Sequence, residues 1–219
     1  MLAIANPPCK IRPLESGGPM HFRANASLSK SKTKIITRAV AEALESRTLL
    51  SLAPIGGEVR VNTYTADYQT NPAVAADADG DYVIVWQSPQ EGLNNAGIYA
   101  QRFNASGIPQ GGEIHVNVNT AGAQNFPAVA MDADGDFVVA WRDNVQEGNN
   151  NGGIFARRFD AAGNPLSGEI HVNTATTGDQ AVPSVAMDAA GDFVIVYESV
   201  VPSFAPDVYA RRFDFNGVG

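Results

Sequence analysis

Over residues 54–219 apolar and polar positions alternate in short runs, and each run predicts a strand. In Glu113-Ile114-His115-Val116-Asn117 every second residue is apolar, the pattern of a strand with one wet face. Ala128–Met131 is a short apolar run preceded by Pro127, a residue tolerated at a strand's first position. Asp134-Gly135 then predicts a hairpin turn into Phe137-Val138-Val139-Ala140-Trp141. That run is apolar on both faces, so both faces must be covered. A fourth strand, Ile154–Phe159, follows the Asn/Gly-rich loop Gly148–Gly153 and ends at the turn Asp160–Asn164. Helical periodicity is absent from this region, and no window approaches the roughly 18 apolar residues of a membrane-spanning helix.

The same pattern occurs three times. Gly57-Glu58-Val59-Arg60-Val61-Asn62 returns as Gly112-Glu113-Ile114-His115-Val116-Asn117 and as Gly168-Glu169-Ile170-His171-Val172-Asn173. Pro72–Tyr82 returns as Pro127–Phe137 and Pro183–Phe193, and Tyr99–Phe103 as Phe155–Phe159 and Tyr209–Phe213. Glu58 and Glu113 lie 55 positions apart, and Glu113 and Glu169 56. The units run approximately over 57–110, 111–166 and 167–219. Four strands in about 55 residues exceed a solenoid coil and match a β-propeller blade, a unit of roughly 40–50 residues. The expected fold is therefore all-β, with three tandem β-propeller-like blades in an incomplete or partial ring; a β-sandwich of the same hairpins is the second choice. Rings ordinarily hold about 4–8 blades. The array is thus expected to be a fragment of a longer one or a degenerate short protein, unless copies self-associate to complete a ring. In a ring, Val59–Asn62 would serve as the last strand of the final blade.

Charge separates this array from residues 1–53. Residues 1–50 hold eight Lys/Arg and three acids, a charge of +5, whereas 51–219 hold seven Arg, no Lys and twenty acids, a charge of −13. The formal charge of −8 averages two unlike parts. An acidic array repels phosphate backbones, which argues against nucleic acid as a partner. A single Cys excludes an intramolecular disulfide framework and a multi-Cys zinc site. Gly 21 and Pro 13 supply the turns of a repeat.

The tail is basic and Ser/Thr-rich over Lys30–Lys34, and Ile35–Leu52 reads as helical. It contains Leu44-Glu45-Ser46-Arg47-Thr48-Leu49-Leu50-Ser51. This stretch resembles the LEPR-XLL motif found near the N-terminus of many large planctomycete surface and secreted proteins; Ser46 stands where that motif has Pro. The Asp-Ala-Asp-Gly-Asp-(Phe/Tyr)-Val and Ala-(Gln/Arg)-Arg-Phe stretches resemble bacterial extracellular β-repeats that follow such tails. The resemblance implies export, with the protein secreted or on the cell surface. An uninterrupted apolar core of a signal peptide is not evident, because Arg38, Glu42, Glu45 and Arg47 break the segment. Met20 is an alternative start.

Candidate chemistry is repetitive. Asp77, Asp79 and Asp81, and again Asp132, Asp134 and Asp136, put carboxylates on alternate positions around a glycine. Calcium takes six to eight oxygens from loops of this kind. The competing reading is a hairpin turn in which Asp side chains bond nearby amides; Asp188-Ala189-Ala190-Gly191-Asp192 keeps the turn without the middle carboxylate. His115 and His171 read as solvated residues of a strand face. Trp86, Trp141 and Tyr197, with Phe103, Phe159 and Phe213, read as filler between stacked sheets. Arg102, Arg158 and Arg212 are expected to pair with acids between units. Gln90 and Glu91, with Gln146 and Glu147, open the long loops of the first two units and are the expected contacts for a protein or glycan partner. The sequence has no nucleophile triad motif, HExxH or P-loop. A secreted, non-catalytic binding or structural module is the leading expectation. A remnant of a glycan-acting propeller hydrolase and a calcium-stabilised adhesion module are the alternatives.

Overall fold

The computed structural model describes residues 56–92, 95–148, 151–200 and 205–219. The chain divides into two units, 1–57 and 58–219, and the described residues fall almost wholly in the second. The Leu44–Ser51 motif and the helix expected over Ile35–Leu52 lie outside them. Strands β1 (Thr70–Ala76), β2 (Tyr82–Ser88), β3 (Gly97–Phe103) and β4 (Ile114–His115) form the first antiparallel sheet in that order. The second holds β5 (Gln124–Met131), β6 (Phe137–Asp143), β7 (Gly153–Phe159) and β8 (Ile170–His171). The third, among the described residues, holds β9 (Asp179–Met187), β10 (Phe193–Val200) and β11 (Asp207–Phe213). The sheets stand side by side, β1 against β5 and β5 against β9, as blades that close no ring among the described residues.

Sequence unit and sheet are out of phase by one strand. The Glu-x-x-Val segment that opens each unit completes the sheet of the unit before: Ile114 sits opposite Ala100 and His115 opposite Tyr99. Ile170 and His171 do the same opposite Ala156 and Phe155. Each unit is thereby stapled to its predecessor by main-chain hydrogen bonds. Only two residues of each five-residue alternation join the ladder; the following Val bonds further along, Val116 N to Ile98 O and Val172 N to Ile154 O, both at 2.8 Å.

The core alternates in kind. The first cluster sets Val83, Val85, Ile98, Ala100 and Val116 of one sheet against Phe137, Val139, Trp141 and Phe159 of the next. The second sets Val138, Ala140, Ile154, Ala156 and Val172 against Phe193, Ile195, Tyr197 and Phe213. Each sheet therefore has an aliphatic face and an aromatic face, and each interface joins one of each. This is why β6 is apolar on both sides. Phe137 stacks on Phe159 with ring centroids 5.0 Å apart, as Tyr82 does on Phe103 and, at 4.9 Å, Phe193 on Phe213. Across the interfaces Arg157 Nη1 donates to Val116 O at 2.8 Å and Arg211 Nη1 to Val172 O at 2.9 Å.

The acidic turns are hairpins. Asp77 Oδ1 accepts from Asp79 N and Asp81 N, each at 2.9 Å, and Asp132 and Asp188 repeat the arrangement. The third carboxylate reaches to the next turn of its own unit: Asp81 Oδ1 accepts from Ala105 N at 2.8 Å, and Asp136 Oδ1 from Ala161 N at 2.9 Å. Asp79 and Asp134 contribute only their main-chain amides, which explains why Ala190 suffices in the third turn. The calcium expectation meets an obstacle here, since these oxygens face main-chain amides. Among the described residues no three His, Cys, Asp or Glu side chains gather as a cation site. Arg102 differs from expectation too: its guanidinium donates to the Ala162 carbonyl of the following unit. The neighbouring Asp160 is held below the usual carboxylate range chiefly by the Asn164 side chain, with a smaller contribution from Arg102.

Candidate functional site

Two loop clusters hold the outer strands in place. Glu91 and Glu147 turn inward and are buried. Glu91 Oε1 accepts from Asn117 Nδ2 at 2.7 Å and meets His115 Nε2; Glu147 Oε1 meets Asn173 Nδ2 and His171 Nε2 in the same way. Gly97 and Gly153 make room for them, because a Cβ at either position would collide with the glutamate carboxyl. Each imidazole stacks on an aromatic ring, His115 on Tyr99 and His171 on Phe155, with centroids 4.9 Å apart. Burial, then the nearby Glu91 and Glu113 carboxylates, push the Tyr99 hydroxyl up to about 12. Gln90 Nε2 donates to Glu113 Oε2 at 3.2 Å, and Gln146 Nε2 to Glu169 Oε2 at 2.8 Å. Gln90, Glu91, Gln146 and Glu147 are thus brought together with the outer strands. Their polar ends are engaged within the fold. The histidines keep one face in water, as expected, but Nε2 of each ring is engaged.

A different set of residues lies at equivalent places at the start of strands β1, β5 and β9. Asn71, Phe126 and Val182 take φ of 53°, 54° and 50°, a left-handed conformation that is costly for a β-branched or aromatic residue. Each precedes a proline and marks a register shift, so Pro127 sits inside β5 rather than opening it. The bulge redirects the side chain, which is what such insertions do beside functional sites. Phe126 and Val182 are exposed there, together with Tyr68. Across the ladder stand Gln87, Arg142 and Glu198, opposite Thr70, Asn125 and Ala181.

These positions are among those at which the units differ from one another. Behind them the frame is constant: Gln69, Gln124 and Gln180 recur, and Gln124 and Gln180 are fully buried. Gln124 Nε2 donates to Asp143 Oδ2 at 2.9 Å. In front of it Asn71 Nδ2 donates to Gln87 Oε1 at 2.9 Å. Arg142 of the second sheet reaches the third, donating from Nη2 to Asp179 Oδ1 at 2.6 Å and from Nε to Gln180 O at 3.1 Å. Gly152 N also donates to Asp179 Oδ1, at 2.9 Å. The rim so formed offers amides, a guanidinium, two carboxylates and exposed apolar groups. Asp179 is already engaged by Arg142, while Glu198 is exposed. Motif reading missed this rim, because it looked for residues that recur. The signal was the reverse: Gln87, Arg142 and Glu198 each differ immediately after a recurring aromatic.

No family model matches the chain, and no curated protein matches it. Among solved structures, a Hadza microbial sialidase is similar with a TM-score of 0.50 at 12% identity, over 68% of this chain and 36% of that one. An endo-arabinase from Bacteroides thetaiotaomicron has a TM-score of 0.44 at 14% identity, over 65% of this chain and 55% of its own. An α-L-arabinofuranosidase from Fusarium graminearum has a TM-score of 0.46 at 14% identity, over 71% and 45%. The chain spans between about a third and just over half the length of these proteins. At such identity the likeness concerns the fold: the three sheets are β-propeller-type blades.

Proposed function

We propose that this is a non-catalytic β-repeat module, secreted or held at the cell surface, that binds a glycan along the bulge rim. One observation carries the reading: where strained bulges aim side chains outward, the otherwise repeating sheets carry different residues. Exposed Phe126 and Tyr68 offer flat apolar surface for the faces of sugar rings, and Asn71, Gln87 and Asn125 offer hydrogen bonds to hydroxyls. A rigid scaffold presenting irregular residues at one end is the usual construction of a binding site. The basic tail and its LEPR-XLL-like stretch support export.

A second reading, a domain of a glycan-acting hydrolase, is favoured by the likeness to the sialidase. Glycoside hydrolysis ordinarily needs two carboxyl groups about 5–9.5 Å apart, one as acid and one as base or nucleophile. In the rim Asp179 pairs with Arg142, whereas Glu198 is exposed and is the carboxylate to test. Polysaccharide-array binding followed by calorimetry separates the readings. Binding without release of reducing ends, weakened about tenfold by Phe126→Ala, is the expected result. Sugar release abolished by Glu198→Gln would establish the hydrolase instead, and affinity indifferent to Phe126→Ala would remove the rim from the binding site.

A further inference from the structure

The outer edge of the third sheet lacks, among the described residues, what the other two sheets have. In the first two sheets Ile98 and Ile154 are fully buried beneath the outer strand, whereas the equivalent Val208 is 78% exposed. Tyr209 carries no imidazole, although its equivalents Tyr99 and Phe155 each stack on one. The aliphatic face behind this edge is open as well: Val194 and Val196 are half-buried, while Val83, Val85, Val138 and Ala140 are fully buried.

A segment of the right pattern lies unpaired at the opposite end of the array. Glu58-Val59-Arg60-Val61-Asn62 matches the outer-strand segments 113–117 and 169–173. It joins no ladder among the described residues, and Val59 is 67% exposed. It is nevertheless held in the posture of an outer strand. Glu169 Oε1 accepts from Val118 N at 2.5 Å and Asn119 N at 3.1 Å, just beyond β4. Glu113 Oε1 accepts from Thr63 N at 2.5 Å and Tyr64 N at 3.4 Å, just beyond Asn62. Relative to the first sheet, then, residues 58–62 stand as β4 stands relative to the second. Ile84, on the aromatic face of the first sheet, is only half-buried, while its equivalents Val139 and Ile195 are fully buried.

The two ends also match in charge. In the first two sheets a buried glutamate beside a glycine meets the histidine of the outer strand. In the third, Asp207 occupies the position of Gly97 and Gly153, opposite Ser199 as they are opposite Ser88 and Asp143. In residues 58–62, Arg60 occupies the position of His115 and His171. The departure from glycine is acidic and the departure from histidine is basic, and both side chains are exposed.

We propose that residues 58–62 of one copy add to β11 of a second copy as its fourth strand. Val59 would face Ala210, Arg60 would cover the Tyr209 ring and meet Asp207, and Asn62 would cap Val208 N as Asn117 caps Ile98 N. Within one chain the second sheet stands between the two ends, so the donor is another copy. Reciprocal donation makes a two-fold pair with six four-stranded sheets, twice the three among the described residues of one chain, inside the usual range of about 4–8 blades. The inference is independent of what the rim binds.

The test is the mass of the full chain in solution, by sedimentation and light scattering over a concentration series. Twice the chain mass is expected. Arg60→Asp and Asp207→Arg should each bring like charges together and raise the dissociation constant at least about tenfold, with circular dichroism unchanged. The double reversal, Arg60→Asp with Asp207→Arg, should restore the pair. A single-chain mass throughout, association that ignores both single reversals, or masses climbing beyond two copies would each overturn the closed pair.

Discussion

The residues that looked most like a partner site, Glu91 and Glu147, are the ones most occupied by the fold. A carboxylate can be buried when hydrogen-bond donors surround it, and a histidine, an asparagine and a vacated glycine position provide that setting here. The sequence displays the glutamate, the glycine and the histidine, but the His lies 24 positions after the Glu, and no local rule joins them. The aromatic core was easier to read, because Trp141, Phe137 and Phe159 sit in runs whose period alone demands cover. Glu147→Ala removes the acceptor of His171 and Asn173 and leaves a hole beside Gly153. Thermal and urea unfolding should register a loss of roughly 2–3 kcal/mol. Unchanged stability would mean that the cluster is incidental. Gly153→Ala should destabilise for the opposite reason, by pushing a methyl into the carboxylate.

At the level of elements, alternation located the strands but not their irregularities. Phe126 and Val182 precede prolines, and a proline pushes its predecessor away from the helical region; that rule predicts extended backbone, whereas the chain takes the left-handed bulge. The reason is tertiary. Gln124 and Gln180 are fixed in the buried frame just before each bulge, while β5 and β9 must regain register with β6 and β10 just after it. A β-branched residue held at positive φ costs about 1–2 kcal/mol. Val182→Asn, which tolerates that conformation, should therefore stabilise the protein by about 1 kcal/mol in urea unfolding. A fall in the urea midpoint would show that the valine is not strained there.

Across the whole molecule, the repeat period disclosed the number of blades and the kind of fold, yet the cut between blades falls inside the unit. Glu113 and Glu169 explain why, since each opens an outer strand and grips the chain just past the preceding Glu-x-x-Val segment. Nothing in the sequence near Glu113 names Thr63, fifty positions earlier, as its partner. This latch makes cohesion of the array depend on pH. Burial alone would raise the Glu113 carboxyl, but donors from Thr63, Gln90 and Tyr64 outweigh it and hold the group below its ordinary value of 4.5. A carboxyl depressed in the folded state contributes stability that is complete above the unfolded value and is lost as pH falls through the folded one. Glu113→Gln should accordingly be less stable than the parent near neutrality. The gap should narrow once pH drops below about 4.5 and vanish at lower pH, where the parent is protonated in both states. Urea midpoints of the two proteins across this range provide the measurement. A gap that stays constant with pH would assign the effect of Glu113 to shape rather than charge.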